Sequence, residues 1–268
     1  GSVVVSGILP DAQAQFSVEP VLRIEAGAHQ SLVTRVSTDA QGRWILSASE
    51  DKTARLWDSG NGQLLAVLRP PLGSEGVGAI YAAALSPDGK QVALGGNAGF
   101  DGRTHALYLF DRASARLPPK STLSGLEAPV TQLAWSKDSQ LIAVGLRQSG
   151  LRVFQRNLAF VGSDPEYNEA IYGADFASDG RLITCSLDGS LRLYKVEKKG
   201  LVRSARKQMP TGKPYAVAFS PDASQIAVGY QDAGQMDVLD AATLSLRYST
   251  AKVPEGNLGR VAWSSDGR

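Results

Sequence analysis

Residues 215–240 read YAVAFSPDASQIAVGYQDAGQMDVLD, and the fold is most easily recognised from this segment. It contains three short apolar runs separated by two polar turns, and the first turn, at 220–224, consists of Ser, Pro, Asp and Ala. Short apolar runs around tight turns of this composition are typical of β-strands. The stretch therefore predicts a unit of antiparallel strands joined by turns.

The same unit recurs along the chain. Further copies of its first turn are SPDGK (86–90), SKDSQ (136–140), ASDGR (177–181), SSDGR (264–268) and, more weakly, AQGRW (40–44). Each unit ends on an aromatic or large apolar residue, and the ends are Trp57, Phe110, Phe154, Tyr194 and Leu239. These ends lie 40 to 53 residues apart, which is the length of a four-stranded β-propeller blade. An all-β propeller is therefore predicted.

Two motifs connect the repeats to a known family. Residues 47–58, SASEDKTARLWD, resemble the end of a WD repeat, and GAH at 27–29 resembles its Gly-His opening. The other copies keep the spacing of turns and strands but have Phe, Tyr or Leu in place of the terminal Trp. The resemblance implies a WD-type propeller with four antiparallel strands in each blade. The wording of YAAALSPDG, LYLFDRAS and YGADFASDGRL is also similar to bacterial WD-repeat regions of multidomain proteins, some of which carry a caspase-like peptidase.

Six blades are expected. RVAWSSDGR at 260–268 supplies one strand and a turn, and residues 3–16 have the strand spacing of the first repeat. We therefore expect a closing blade shared between the N- and C-terminal segments, because such closure removes exposed sheet edges. A single domain would then span 1–268, with Gly1-Ser2 as a cloning remnant. The alternative is a fragment of a seven-bladed propeller, with residues 8–15 left from a secretory signal.

Composition excludes several classes of function. Lys and Arg number 28 against 26 Asp and Glu, so a net charge of +2 favours neither a nucleic-acid nor a membrane partner. The one cysteine, Cys185, and the two histidines, His29 and His105, supply neither an intrachain disulfide nor a usual zinc site. No apolar run is long enough to span a bilayer. No metal and no cofactor are therefore expected.

One constellation invites a catalytic interpretation. By motif position, the resemblance implies that His29, Ser47, Asp51 and Trp57 form a buried hydrogen-bonded tetrad in the first blade. A catalytic triad of the first three residues is the alternative, but satisfaction of buried polar groups is the favoured explanation. Cys185 lies in an apolar strand and is expected to be structural.

The repeat register also predicts a binding face. Eight residues before the turn position of Gly89, Gly180 and Ala223, three blades carry tyrosine: Tyr81, Tyr172 and Tyr215. The next position carries Arg35 and Arg260 in two other repeats. The resemblance places these residues near the channel mouth on the face where WD propellers bind partners. Packing between blades is the alternative for the tyrosines, in which case the glycine-rich loop 95–105 becomes the better candidate.

These observations predict a non-catalytic scaffold or sensor that binds a protein or peptide on one propeller face. The caspase-associated resemblance implies that it serves an effector domain in the same parent chain. The sequence does not name the compartment, and of the two bacterial compartments the cytoplasm is favoured over the periplasm. The alternative is a propeller hydrolase with an active site in the central channel. Such a site needs acidic or His side chains at the inner-strand starts, where this sequence has Tyr, Ala, Gln, Gly and Arg.

Overall fold

The computed structural model describes residues 27–70, 78–97, 104–114, 119–197, 200–253, 256 and 258–267. In these residues twenty strands form five antiparallel sheets of four strands each. Consecutive sheets pack through their inner strands, as the blades of a β-propeller do. Within the described ranges, no helix is long and apolar enough to cross a membrane.

Each blade contains four consecutive strands in sequence order. Blade 1 consists of β1 (Val33–Thr38), β2 (Trp44–Ser49), β3 (Ala54–Asp58) and β4 (Leu64–Leu68). Blade 2 consists of β5 (Ala79–Leu85), β6 (Gln91–Asn97), β7 (His105–Asp111) and β8 (Ser121–Leu126), with a 3-10 turn at Arg112–Ser114. Blade 3 consists of β9 (Val130–Trp135), β10 (Leu141–Leu146), β11 (Leu151–Gln155) and β12 (Phe160–Asp164). Blade 4 consists of β13 (Ile171–Phe176), β14 (Leu182–Ser186), β15 (Ser190–Glu197) and β16 (Gly200–Gln208). Blade 5 consists of β17 (Pro214–Phe219), β18 (Gln225–Tyr230), β19 (Asp237–Asp240) and β20 (Leu246–Ser249).

The hydrophobic core lies between neighbouring blades. The second strands are largely buried, and every residue of β14 is buried, because blade 4 packs between blade 3 and blade 5. Leu46 and Leu56 of blade 1, for example, share one cluster with Leu94 and Tyr108 of blade 2. Burying a side chain of this size contributes about 1.5–3 kcal/mol, so the stability of each blade depends on its neighbours.

The recurring turn owes its sequence to one hydrogen-bond pattern. The Ser86 hydroxyl donates to Asp88 Oδ1 at 2.6 Å, and the Gln91 amide donates to Ser86 Oγ at 2.9 Å. Ser136, Ser220 and Ser264 donate to the Asp two residues later in the same way. Gly89 has φ +69° and lies against the Trp44 ring, so a Cβ would be both strained and crowded there.

The prediction of six blades is wrong. Residues 258–267 contain a turn, with the Gly267 amide donating to the Ser264 carbonyl at 3.0 Å, but they contain no strand. Trp263 Nε1 donates to the Ala218 carbonyl of blade 5 at 3.0 Å, so this segment packs on β17 without forming a ladder. Residues 3–16, predicted to complete the blade, lie outside the described residues. The shared closing blade and the seven-bladed alternative are both corrected to five blades, because a turn signal is local whereas a strand also needs a pairing partner.

A central channel runs between the inner strands. Its cavity of about 660 Å³ is lined by β1, β5, β9, β13 and β17 and by Arg260 and Val261. The channel therefore brings together residues far apart in sequence.

Candidate binding face at the channel mouth

A β-bulge occurs at one repeat position in all five blades. Each inner strand shifts register against its second strand at this position, which leaves one residue unpaired. The unpaired residues are Thr34, Tyr81, Thr131, Tyr172 and Tyr215. A bulge re-aims the side chain that it carries, and all five of these side chains line one cavity at an end of the channel.

This mouth cavity has a volume of about 470 Å³. Its lining residues are Leu32, Val33, Thr34, Arg35, Glu50, Tyr81, Thr131, Arg147, Tyr172, Tyr215 and Arg260. All five residues predicted for the binding face are among them. The three tyrosines are half-buried, so part of each ring packs on the blades and part faces the cavity.

Two of the tyrosines form a stack that continues onto an arginine. The rings of Tyr172 and Tyr215 lie 4.7 Å apart between centroids, with an interplanar angle of 21°. The Arg260 guanidinium lies 5.0 Å from the centroid of the Tyr215 ring, within range of a cation–π interaction. Burial, with a smaller contribution from neighbouring Tyr172, raises the pKa of Tyr215, so its phenol stays neutral at physiological pH.

The two threonines at the bulge position, Thr34 and Thr131, form hydrogen bonds to the neighbouring blade. Thr34 Oγ1 donates to the Ile80 carbonyl of blade 2 at 2.8 Å, and Thr131 Oγ1 donates to the Ile171 carbonyl of blade 4 at 2.6 Å. Each threonine thus joins its blade to the next one. In the other three blades the bulge carries a ring too large for this link, and that ring occupies the cavity wall.

Arg35 is held across the mouth by main-chain groups. Its two terminal nitrogens donate to the Thr34 carbonyl at 2.9 Å and to the Thr131 carbonyl at 2.7 Å. Arg147 and Arg260 are exposed. Sequence reasoning missed Arg147 and Glu50, because they belong to the turns after the second strands and lie outside the register of the inner strands. An alignment of those turns by repeat position is the signal that locates them on the same face.

The four tetrad residues of blade 1 are linked in series by hydrogen bonds. Trp57 Nε1 donates to Ser47 Oγ at 2.8 Å, Ser47 Oγ lies 2.8 Å from His29 Nε2, and His29 Nδ1 lies 2.9 Å from Asp51 Oδ2. One set of protons satisfies every link if Ser47 donates to His29 and His29 donates to Asp51. Burial favours a raised pKa for Asp51, but bonds from the Thr53 hydroxyl, the Gln30 amide and His29 outweigh it and lower that pKa.

The distances among Ser47, His29 and Asp51 also match those of a catalytic triad. Ser47, however, is only 8% exposed, and its oxygen already accepts the indole N–H of Trp57. A substrate carbonyl would have to displace that indole to reach the hydroxyl. The geometry therefore favours the structural role, because the same contacts satisfy four polar groups in the packed blade.

Blade 4 contains a related network that the sequence did not reveal. The Tyr167 hydroxyl lies 2.6 Å from Thr184 Oγ1 and 2.7 Å from the Tyr194 hydroxyl, which donates to Asp164 at 2.7 Å. Tyr167 precedes Thr184 by 17 residues, as His29 precedes Ser47 by 18. It therefore takes the place of the missing histidine, and this spacing was the available signal.

The remaining candidates are Cys185 and the glycine-rich loop. Cys185 is fully buried, and burial raises the pKa of its thiol, so the reactive thiolate is disfavoured. Most of the glycine-rich loop 95–105 lies outside the described residues. Among the described side chains, no cluster of His, Cys, Asp and Glu could hold a metal ion.

Comparison with known proteins agrees with this architecture. Residues 20–58, 117–155 and 159–195 match the family model WD domain, G-beta repeat. These matches support a WD-repeat protein. The first matched segment contains the tetrad of blade 1, and the third contains Tyr167 and Tyr194 of blade 4.

The similar proteins are WD-repeat relatives at low identity. Eukaryotic translation initiation factor 3 subunit I of Drosophila melanogaster is 21% identical over 227 residues, which cover 82% of this chain and 65% of that protein. SIR4-interacting protein SIF2 of Saccharomyces cerevisiae is 22% identical over 259 residues, which cover 91% of this chain and 46% of that protein. This chain thus spans 65% of the length of the initiation-factor subunit that it matches. Both relatives are eukaryotic and give no support to the expected bacterial, caspase-associated context.

Proposed function

We propose that this WD-repeat propeller is a non-catalytic interaction module that binds a peptide or protein segment in the mouth cavity. The observation that carries the proposal is the convergence of five bulge residues, three of them tyrosines, on one cavity. Aromatic side chains with an apolar body and a polar tip are enriched where proteins bind partners. A half-buried ring is held in place yet keeps a face for contact.

The family relationship supports a scaffold role. WD propellers are typically non-catalytic and bind proteins. The names of the two relatives describe a subunit of a translation initiation factor and a protein that interacts with SIR4. By analogy, we propose that this chain is a component of a protein complex, with the mouth cavity as one of its contact sites.

The hydrolase alternative has less support. Among the residues that line the described channel, Asp175 is the one carboxylate, and it is engaged by Lys137 Nζ at 2.9 Å and by the Phe219 amide at 2.8 Å. Hydrolysis of a glycosidic bond by carboxylates ordinarily uses a pair of them. The described part of the channel lining thus lacks the usual acid and base pair.

Affinity capture with tyrosine variants tests the proposal. The tagged chain, the double variant Tyr81→Ala/Tyr215→Ala and the control Tyr248→Ala are each incubated with extract of the source cells. Tyr248 is 51% exposed on the outer strand β20 and does not line the mouth cavity, so it matches the loss of an accessible tyrosine elsewhere. We expect a partner that binds the wild type and the control but not the double variant. An identical set of captured proteins for all three would refute a role of the mouth cavity.

A further inference from the structure

The mouth cavity contains arginines without carboxylate partners. Elsewhere in the described chain, arginines form ion pairs with Asp or Glu, among them Arg43, Arg152, Arg156, Arg181, Arg192, Arg203 and Arg247. In the same described ranges, Arg35, Arg147 and Arg260 form no such pair, and Glu50 is the one acidic residue in the cavity lining. The cavity therefore carries an excess of positive charge although the whole chain is close to neutral.

Two of these arginines are held in position before any ligand binds. Arg35 is anchored by the Thr34 and Thr131 carbonyls, and Arg260 lies over the ring of Tyr215. Neither contact neutralises the guanidinium charge. A fixed and unneutralised cation in a concave site attracts anions strongly, because it pays little ordering cost and the surrounding walls focus its field.

The charge of the cavity separates two classes of ligand. Tyrosine faces alone would also suit a cation such as a lysine side chain. Here three guanidinium groups share the cavity with those faces, so a cationic side chain is repelled. A carboxylate or phosphate instead gains charge-assisted hydrogen bonds, which guanidinium groups make in bidentate geometry.

We propose that the mouth cavity selects a peptide segment with an anionic side chain, bound by Arg260 and Arg147 beside the tyrosine stack. The proposal rests on the function proposed above and names the chemistry of its ligand. A peptide fits better than a nucleic acid, because the three arginines line a concave cavity of about 470 Å³ and the chain as a whole carries a net charge of only +2.

The test is a selection of random displayed peptides on the immobilised protein. Selected peptides are retained if they bind the wild type but not Tyr215→Ala, which assigns them to the mouth cavity. We expect these peptides to be enriched in Asp and Glu relative to the library. A retained set that is neutral or basic would overturn the charge selection while leaving binding at the mouth intact. A selection without any Tyr215-dependent peptide would refute the proposed function itself.

Direct titration then measures the contribution of each charge. Synthetic versions of one retained peptide carry Glu, phosphoserine, Gln or Lys at the acidic position, and binding is followed by fluorescence anisotropy. The Glu or phosphoserine version should bind with a Kd at least about tenfold lower than that of the Gln version, and the Lys version should bind weakest. The two anionic versions identify which source of negative charge the cavity prefers. Equal affinity of the Glu, phosphoserine, Gln and Lys versions would contradict the proposal.

Arginine variants supply the matched control. Arg260→Gln and Arg147→Gln should each weaken the anionic peptide about tenfold, whereas Arg247→Gln should leave its affinity unchanged. Arg247 also carries one positive charge, but it pairs with Asp240 at 2.7 Å and does not line the mouth cavity. If all three variants weakened binding of the anionic peptide equally, the effect would come from the net charge of the chain, and the assignment to Arg260 and Arg147 would be refuted. An RNA oligonucleotide bound more tightly than the peptide, with the same dependence on Arg260, would overturn the assignment to peptides.

Discussion

Replacing Ser47 by Ala should destabilise blade 1 more than the size of the change suggests. The Ser47 oxygen accepts the Trp57 indole N–H at 2.8 Å, and its hydroxyl lies 2.8 Å from His29 Nε2. Ser47→Ala removes the oxygen and leaves two partly buried polar groups without their partner. The deletion of one hydroxyl therefore interrupts the series of hydrogen bonds that connects Trp57 to Asp51.

The expected magnitude follows from the number of stranded groups. Each buried donor or acceptor without a partner costs about 1–3 kcal/mol, so Ser47→Ala should cost about 2–4 kcal/mol after allowance for partial exposure. For a chain of this size, about 1 kcal/mol lowers Tm by about 2–4 °C. A decrease in Tm of roughly 5–15 °C is expected.

Tyr167→Phe in blade 4 provides a contrast. It also removes one hydroxyl with two contacts, but the Tyr194 hydroxyl keeps its bond to Asp164 and Thr184 Oγ1 keeps the Arg192 carbonyl at 3.4 Å. No partner is stranded, and the expected cost is about 1 kcal/mol.

Thermal and urea denaturation followed by circular dichroism measure both variants. Ser178→Ala serves as control, because Ser178 is an exposed serine in the turn of blade 4. A free energy of unfolding for Ser47→Ala within about 0.5 kcal/mol of the control would refute the structural account of the tetrad. So would a cost smaller than that of Tyr167→Phe.

Three further outcomes are expected. The stabilising effect of Asp51, measured against Asp51→Asn in urea denaturation, should be constant at neutral pH and should decline as the pH falls below about 4. The reason is that the lowered pKa of Asp51 reflects stabilisation of its ionised form by the fold, and this form is lost on protonation. A difference in the free energy of unfolding that is independent of pH would contradict this. Native protein should resist alkylation of Cys185 by iodoacetamide, and protein in urea should react, whereas rapid native labelling detected by mass spectrometry would show that the thiol is accessible. Gly96→Ala should lower Tm markedly, since a Cβ there would collide with the Ala79 carbonyl; an unchanged melting curve would mean that β5 can move aside.

The turn sequences and the repeat spacing predicted most of the strands, and they predicted that the three tyrosines lie on one face. The Ser and Asp of each turn fix its geometry within five residues, so a turn such as SPDGK is recognisable from sequence alone. The repeat register also identified Tyr81, Tyr172 and Tyr215 as equivalent, and the structure places them in one cavity. Equivalent positions on equivalent strands point to the same place, whatever the residues are.

Other features depend on pairing between distant segments. The turn at Ser264 forms, yet residues 258–267 contain no strand, because the sequence of a turn does not specify a ladder partner. Tyr167 escaped prediction because it replaces a histidine with a different chemical group at nearly the same spacing. Arg147 escaped because its turn lies in another part of the repeat. The missing ladder is a property of tertiary contact, whereas Tyr167 and Arg147 occupy repeat positions that a comparison of the blades by spacing locates.

Binding at the channel mouth can be measured by hydrogen exchange of the chain with and without its captured partner. We expect a bound partner to protect amides around the inner-strand bulges at Tyr81, Tyr172 and Tyr215, while the outer strands β12, β16 and β20 exchange as fast as in the free chain. Protection confined to those outer strands, with no change at the bulges, would contradict binding at the channel mouth.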